Sequence, residues 1–453
     1  VFDAAIVSTS AYISNVAEAF AMHETLSVEH SIINAVNHTL SAGATVDPQQ
    51  LVPQQVGDPS SLATLTGITL LQQLTLLEPT AIADFVSGNP EAVQTLVDRP
   101  PAAREVQLWW QALGIEARAT MITSAPQVIG NLDGVPFSLR DYANRWFLNT
   151  TLAELSTTIE NASARSEALD SSTRLDMLGT VLETIAAPAG AAPRSLLSLD
   201  ASGTGRAAVV IGDLATADYV SILVPGMFYT VDGQLLAWTL AAQGLYDEQV
   251  KWLTELGLPG TVAVVAWIGY ETPSMVNFTA LDLAYEGSAA LAKTVTGLHT
   301  MRGDNQPYLA LIAHSYGSTV SMMALTDYGI DADALAVFGS PGSAAQSASE
   351  LGIPGDNVFV GEAEWDQIKD SAFFGSDPGS ASFGAHRFRV LGGVDPITGE
   401  ELTGSTGHDE YLMPGSESLR NLALVALGQG RLATSEGGSL PPKLASGYSQ
   451  RPR

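Results

Sequence analysis

Two hydrophobic rhythms divide the chain. Up to about residue 187 the apolar positions recur at helical spacing, as Ile13, Val16, Ala17 and Phe20 do at i, i+3, i+4 and i+7. In "NPEAVQTLVD" a cap residue, Asn89, precedes Pro90 at the first helical position. The runs "REVQLWWQALG", "SLRDYANRWFLNTTLAELSTTIENA" and "STRLDMLGTVLETIAA" predict further helices. Between the first two, "APQVIGNLDGVP" carries Gly130, Gly134 and Pro136 and predicts an ordered turn. Trp109 and Trp110 are read as helix packing rather than ligand contacts.

Beyond "APAGAAPRS" the rhythm changes. Short β-branched runs, "AAVVIG", "YVSILV", "TVAVVAW", "YLALIA", "ALAVF", "NVFVG" and "RFRVL", alternate with stretches of helical period. Near-continuous apolar strands separated by helices predict an α/β domain with a mostly parallel sheet covered on both faces. The expected organisation is a helical region over 1–187, a linker over 188–200, an α/β catalytic domain over 201–430 and a flexible tail over 431–453. The helical region could be a lid, a docking surface or part of one continuous fold. No internal repeat is found.

The chemistry centres on "YLALIAHSYGSTVSMMAL". A strand-like run enters Ala313-His314-Ser315-Tyr316-Gly317, and a helical run leaves it. That is the setting of the G-x-S-x-G nucleophile elbow of α/β-hydrolases, whose small flanking residues let strand and helix backbones approach. Alanine replaces the first glycine, a mild departure. The fold demands the order serine, acid, histidine along the chain. Of the seven histidines, two lie beyond the elbow, His386 and His408. His386 directly precedes "RFRVL", at the far edge of the sheet, whereas His408 follows that strand on a Gly-rich loop, so His408 is preferred. Asp366, on the loop after "NVFVG", is the preferred acid over Glu362, Glu364, Asp377 and Asp395. The oxyanion donors are expected from the backbone N–H groups of Tyr316 and of Met227, in the loop after "YVSILV". Phe228 and His314 are assigned to substrate binding.

Composition narrows the function classes. Apolar residues make up 46% and charged residues 15% of the chain, as in globular proteins. No apolar run is long enough for a transmembrane helix. The 48 acidic against 20 basic residues, a net charge of −28, argue against nucleic acid and anionic membranes as partners. The absence of cysteine removes disulfides, thiolate metal sites and cysteine nucleophiles, and no metal or organic cofactor is expected. The chain opens on Val1 with no basic and apolar leader ahead of it, which predicts a removed leader or a trimmed start. A secreted or envelope location is favoured over the cytoplasm, and the oligomeric state is open. The sequons at Asn37, Asn149, Asn161 and Asn277 and the "RGD" at 302–304 are read as chance.

With these residues in place, the chain resembles an actinobacterial α/β-hydrolase family long catalogued as a domain of unknown function. The likeness rests on "RAAVVIGDLATADYVSILVPGM", "VAWIGYETP", "LIAHSYGSTV" and "FGSDPGSASFGAHRFRV", with "WWQAL" and "APQVIGNLDGVPFSLRDYANR" in the helical part. It spans roughly residues 105–428. The resemblance implies a serine hydrolase with its nucleophile at Ser315, its histidine at His408 and its acid at Asp366. The expected reaction is acyl transfer from a small-molecule carboxylic ester to water. A peptidase or amidase using the same residues is one alternative. A non-catalytic binding or envelope-interaction protein on the same scaffold is the other.

Overall fold

The computed structural model describes residues 62–435 except Ser163, Phe278 and Asp370. The predicted helix around Ile13–Phe20, the sequon at Asn37 and the chain after Ser435 lie outside the described residues. One sheet is formed by β1 (Arg194–Asp200), β2 (Arg206–Gly212), β3 (Tyr219–Val224), β4 (Val262–Ile268), β5 (Tyr308–His314), β6 (Ala334–Phe338), β7 (Val358–Gly361) and β8 (His386–Phe388). Its eight strands lie in the order β1-β2-β4-β3-β5-β6-β7-β8. β2 runs antiparallel to both β1 and β4, and every pairing from β4 through β3 to β8 is parallel.

The apolar runs form strands because both faces of the sheet are covered. β4 and β6 are buried along their whole length, which removes the alternation a half-exposed strand would show. One face packs on the helices Val231–Glu255 and Glu417–Ala426 through Leu235, Trp238, Trp252 and Leu422. The other packs on Asp282–Arg302 and Tyr316–Tyr328 through Leu291, Val295 and Val320. Because β3 to β8 are parallel, the loops that follow them gather at one edge, where ligands bind in such sheets.

The predicted linker needs correction. Residues 194–200 are strand β1, not a connector, and Leu196, Leu197 and Leu199 are buried. The Pro- and Gly-rich composition describes the stretch before Arg194. β1 is also where the helical region attaches. Asp141 Oδ1 accepts from Leu196 N–H (2.6 Å), and Asn144 Nδ2 donates to Leu196 O (2.9 Å). Asn131 accepts from Leu199 N–H (3.0 Å) and donates to Leu199 O (2.7 Å). These side chains take up backbone groups that an open sheet edge would offer to other chains. Through these bonds the helix Phe137–Asn161 and the turn before it cover the β1 edge.

Residues 62–187 hold the described part of the predicted helical region. A helix spans Pro90–Asp98, although Asn89 bonds back to Phe85 O (2.8 Å) rather than capping forward. Trp109 and Trp110 are buried among Leu71, Met121 and Ile129. "RGD" is structural: the Arg302 guanidinium donates to Leu214 O (3.0 Å) and Ala217 O (2.9 Å). The start of the predicted tail is also ordered, since Arg389 N–H donates to Thr434 O (2.8 Å) and Ser435 bridges to Phe388.

Candidate active site

Ser315 stands between β5 and the helix Tyr316–Tyr328 with φ 53° and ψ −128°. A non-glycine residue held there stores roughly 1–3 kcal/mol, which surrounding contacts must offset. They do so by close packing and hydrogen bonds. Ser315 N–H donates to Phe338 O (3.0 Å), and Ser318 Oγ donates to Ser315 O (2.6 Å). A side chain on Gly317 would meet Pro225 O at 2.4 Å, so only glycine allows the helix to start this close to the loop after β3. Ala313 lies in register between Val224 and Val337 and is fully buried, so the sheet accommodates its methyl group.

The loop after β8 brings His408 to the serine. His408 Nε2 lies 2.9 Å from Ser315 Oγ, and His408 Nδ1 lies 2.9 Å from Asp366 Oδ1. With Nδ1–H donating to the carboxylate, Nε2 is left as an acceptor for the serine proton. Asp366 is 3% exposed. Burial pushes its pKa up, but hydrogen bonds from His408, the Tyr411 hydroxyl and the Ile368 N–H outweigh that and hold it down at about 2. The carboxylate therefore stays charged beside the imidazole.

The rival residues are engaged elsewhere. Glu362 pairs with Arg387 (2.9 Å), Asp377 accepts from Gly379 N–H (2.8 Å), and Asp395 is buried against Arg420 (2.7 Å). Glu364 is exposed. His386 opens β8 and packs beside Phe359, with ring centroids 5.3 Å apart.

The loop after β3 runs past the serine. A Cβ on Gly226 would stand 2.6 Å from Ser315 Cβ, so glycine lets this backbone reach the hydroxyl. Among the described residues, nothing accepts a hydrogen bond from the N–H of Met227 or Tyr316, whereas the Phe228 N–H is spent on Pro273 O (3.0 Å). Phe228 is 49% exposed with φ 66°. The buried Tyr270 hydroxyl steadies this loop by donating to Pro225 O (2.8 Å).

His314 does not line a substrate surface, contrary to the expectation. It is 5% exposed, stacked on Phe338, and its Nε2–H donates to His408 O at 2.8 Å. Burial, then the neighbouring His408, pushes its pKa down to about 3, so the ring stays neutral. Its place is behind the His408 loop.

Two contributors escaped the sequence reading. The Tyr411 hydroxyl donates to Asp366 Oδ2 (2.7 Å) and accepts from Ala363 N–H (2.7 Å). Gly339, just past β6 with φ 56°, leaves room that a Cβ would take within 2.7 Å of Asp366 Oδ2 and 2.9 Å of the His408 ring. The signal for Gly339 was present, a glycine immediately beyond the strand next to the elbow. A lone tyrosine three residues after His408 gives no such signal.

Among the described residues no group of three or more His, Cys, Asp or Glu side chains could hold a metal ion. A cavity of about 550 Å³ bordered by Asp98, Arg206, Tyr270 and Lys293 is not lined by Ser315. No described helix is long and apolar enough to cross a membrane.

The sheet order, the elbow and the loops at its carboxyl edge define an α/β-hydrolase fold. A family model described as alpha/beta hydrolase matches residues 200–376. An uncharacterized protein of Mycobacterium tuberculosis is 29% identical over 421 residues, covering 78% of this chain and 60% of that protein. The chain thus spans 60% of the length of that relative. An uncharacterized protein of Mycobacterium bovis is 29% identical over 216 residues, covering 45% of this chain and 79% of that protein. Among solved structures, carboxyl esterase 2 of the fungus Tuber melanosporum aligns with 14% identity and a TM-score of 0.30, over 51% of this chain and 83% of that one.

Proposed function

We propose that this chain is a serine hydrolase that cleaves carboxylic esters through an acyl-enzyme on Ser315. The observation that carries the reading is the unbroken run Ser315 Oγ, His408 Nε2, His408 Nδ1, Asp366 Oδ1, with 2.9 Å at each contact, beginning on a strained strand-to-helix turn. In this reading Ser315 Oγ attacks the ester carbonyl carbon as its proton passes to His408 Nε2. Asp366 orients the imidazole and stabilises its charge. The N–H groups of Met227 and Tyr316 receive the oxyanion. His408 returns the proton to the departing alkoxide, leaving the acyl-enzyme and an alcohol. It then takes a proton from water as the water oxygen attacks the acyl carbon, and returns that proton to Ser315 Oγ as the bond from Oγ to the acyl carbon breaks and the acid leaves.

Phe228, half exposed beside Met227, would contact an acyl or aryl group. The test is labelling by a fluorophosphonate together with turnover of p-nitrophenyl esters from acetate to laurate. Both should be present in the native protein and absent from Ser315→Ala. A native protein that neither labels nor turns over any of these esters would move the binding-protein reading ahead.

A further inference from the structure

The loops that carry the candidate site also carry bare apolar side chains. Phe228, Met275, Val276, Trp365 and Phe373 are 49%, 69%, 94%, 73% and 51% exposed. They lie on the segments that follow β3, β4 and β7, whose carboxyl ends share one edge of the sheet. Each segment is tied to the site. The Phe228 N–H bonds Pro273 O at 3.0 Å, joining the loop after β3 to the one that bears Met275 and Val276. The Trp365 N–H bonds Thr406 O at 3.0 Å, close to His408. The Phe373 ring packs edge-on against Phe374 (4.9 Å), which packs edge-on against Tyr316 (5.4 Å), the residue after Ser315.

Single exposed apolar residues need no explanation, but a group gathered around one site marks a surface that meets something apolar. The charge of the same loops selects among apolar partners. On these segments the exposed carboxylates Glu271 and Glu364 stand against one basic residue, Lys369, within a chain of net charge −28. Such a surface is repelled by anionic lipid and has no electrostatic objection to a net-uncharged one.

We propose that this apolar collar seats the protein on the surface of a net-uncharged, water-insoluble lipid ester aggregate, with Ser315 facing the interface. The chemistry rests on the hydrolase reading above, whereas the seating does not, and the two are tested separately. Insertion of a few apolar side chains into a lipid boundary gives reversible binding that scales with the apolar area buried.

The experiment is co-flotation of the full chain with phosphatidylcholine vesicles and, in parallel, with phosphatidylglycerol vesicles. It is run on the native protein and on a Met275→Ser/Val276→Ser/Phe373→Ser variant. Turnover of soluble p-nitrophenyl acetate serves as a check on the fold and the site. The native protein should float with phosphatidylcholine at least tenfold more than with phosphatidylglycerol. The variant should lose at least tenfold of that flotation while its soluble turnover stays within twofold. A native protein that stays in the aqueous fraction overturns the proposal, as does a variant that floats as well as the native chain. A dimer in solution that the triple variant abolishes, without any flotation, would also overturn it by assigning the collar to a second copy. Flotation is read without turnover, so loss of catalysis alone would strike the hydrolase reading and leave the seating intact.

Discussion

The Nε2–H of His314 donates to the carbonyl oxygen of His408 at 2.8 Å, from a ring that is 5% exposed. The residue before the serine therefore grips the backbone of the residue whose imidazole meets that serine. Tyr411, three residues after His408, grips Asp366 in turn (2.7 Å). Elbow, histidine loop and acid loop are thus cross-tied by buried hydrogen bonds.

His314 should make the protein acid-sensitive. Its pKa is held down at about 3 from an ordinary value of 6.5, chiefly by burial, so below 6.5 the unfolded chain takes up a proton that the folded chain refuses. Stability from this group is complete above 6.5 and is lost as pH falls toward 3, at up to about 1.4 kcal/mol per pH unit. His314→Gln, which keeps a donor without a titrating ring, should flatten this part of the curve in urea denaturation from pH 7 to 4. An unchanged slope would contradict the assignment.

Removing the Tyr411 hydroxyl leaves a buried N–H on Ala363 and takes a donor from Asp366. Tyr411→Phe should cost about 1–3 kcal/mol of stability. It should also raise the Asp366 pKa from about 2, so that acid unfolding begins at higher pH. Thermal unfolding at two pH values measures both effects.

Gly339→Ala tests how tightly the carboxylate and imidazole are packed. The added methyl would stand 2.7 Å from Asp366 Oδ2 at a φ of 56°, so the His408–Asp366 pair must shift. Ester turnover should fall by about two orders of magnitude or more, in line with small misplacements of catalytic groups. Stability should fall by only about 1 kcal/mol, the scale of alanine at a positive φ. Parallel kinetics and denaturation separate the two effects.

Arg420 and Asp395 form an ion pair with both side chains 1% exposed, and the guanidinium lies over the Trp252 ring at 4.9 Å. Arg420→Met would strand a buried carboxylate and should destabilise the fold by about 3–5 kcal/mol. The double variant Arg420→Met/Asp395→Leu should recover much of that loss in chemical denaturation. A single variant as stable as the native chain would refute a structural role for the pair.

Much of the sheet was legible because parallel strands buried on both faces are apolar throughout, as "TVAVVAW" and "ALAVF" are. β1 was hidden because the Pro- and Ala-rich residues before it dominate the composition. The side chains that seal it, Asn131, Asp141 and Asn144, lie more than 50 residues away along the chain. Ser315, Asp366 and His408 could be picked out from chain order and loop position, and the structure brings the three into contact. His314 was misassigned because the elbow pentapeptide does not say which way its second residue points. Tyr411 carries no local signature, and its role depends on a fold that sets it against Asp366.

The most direct test of the account is to find the acyl group. The protein is mixed briefly with p-nitrophenyl butyrate, quenched in acid and mapped by peptide mass spectrometry. A butyryl group is expected on Ser315 alone, formed with a burst of p-nitrophenol and absent from Ser315→Ala. An adduct on another residue, or undiminished turnover by Ser315→Ala, would contradict it.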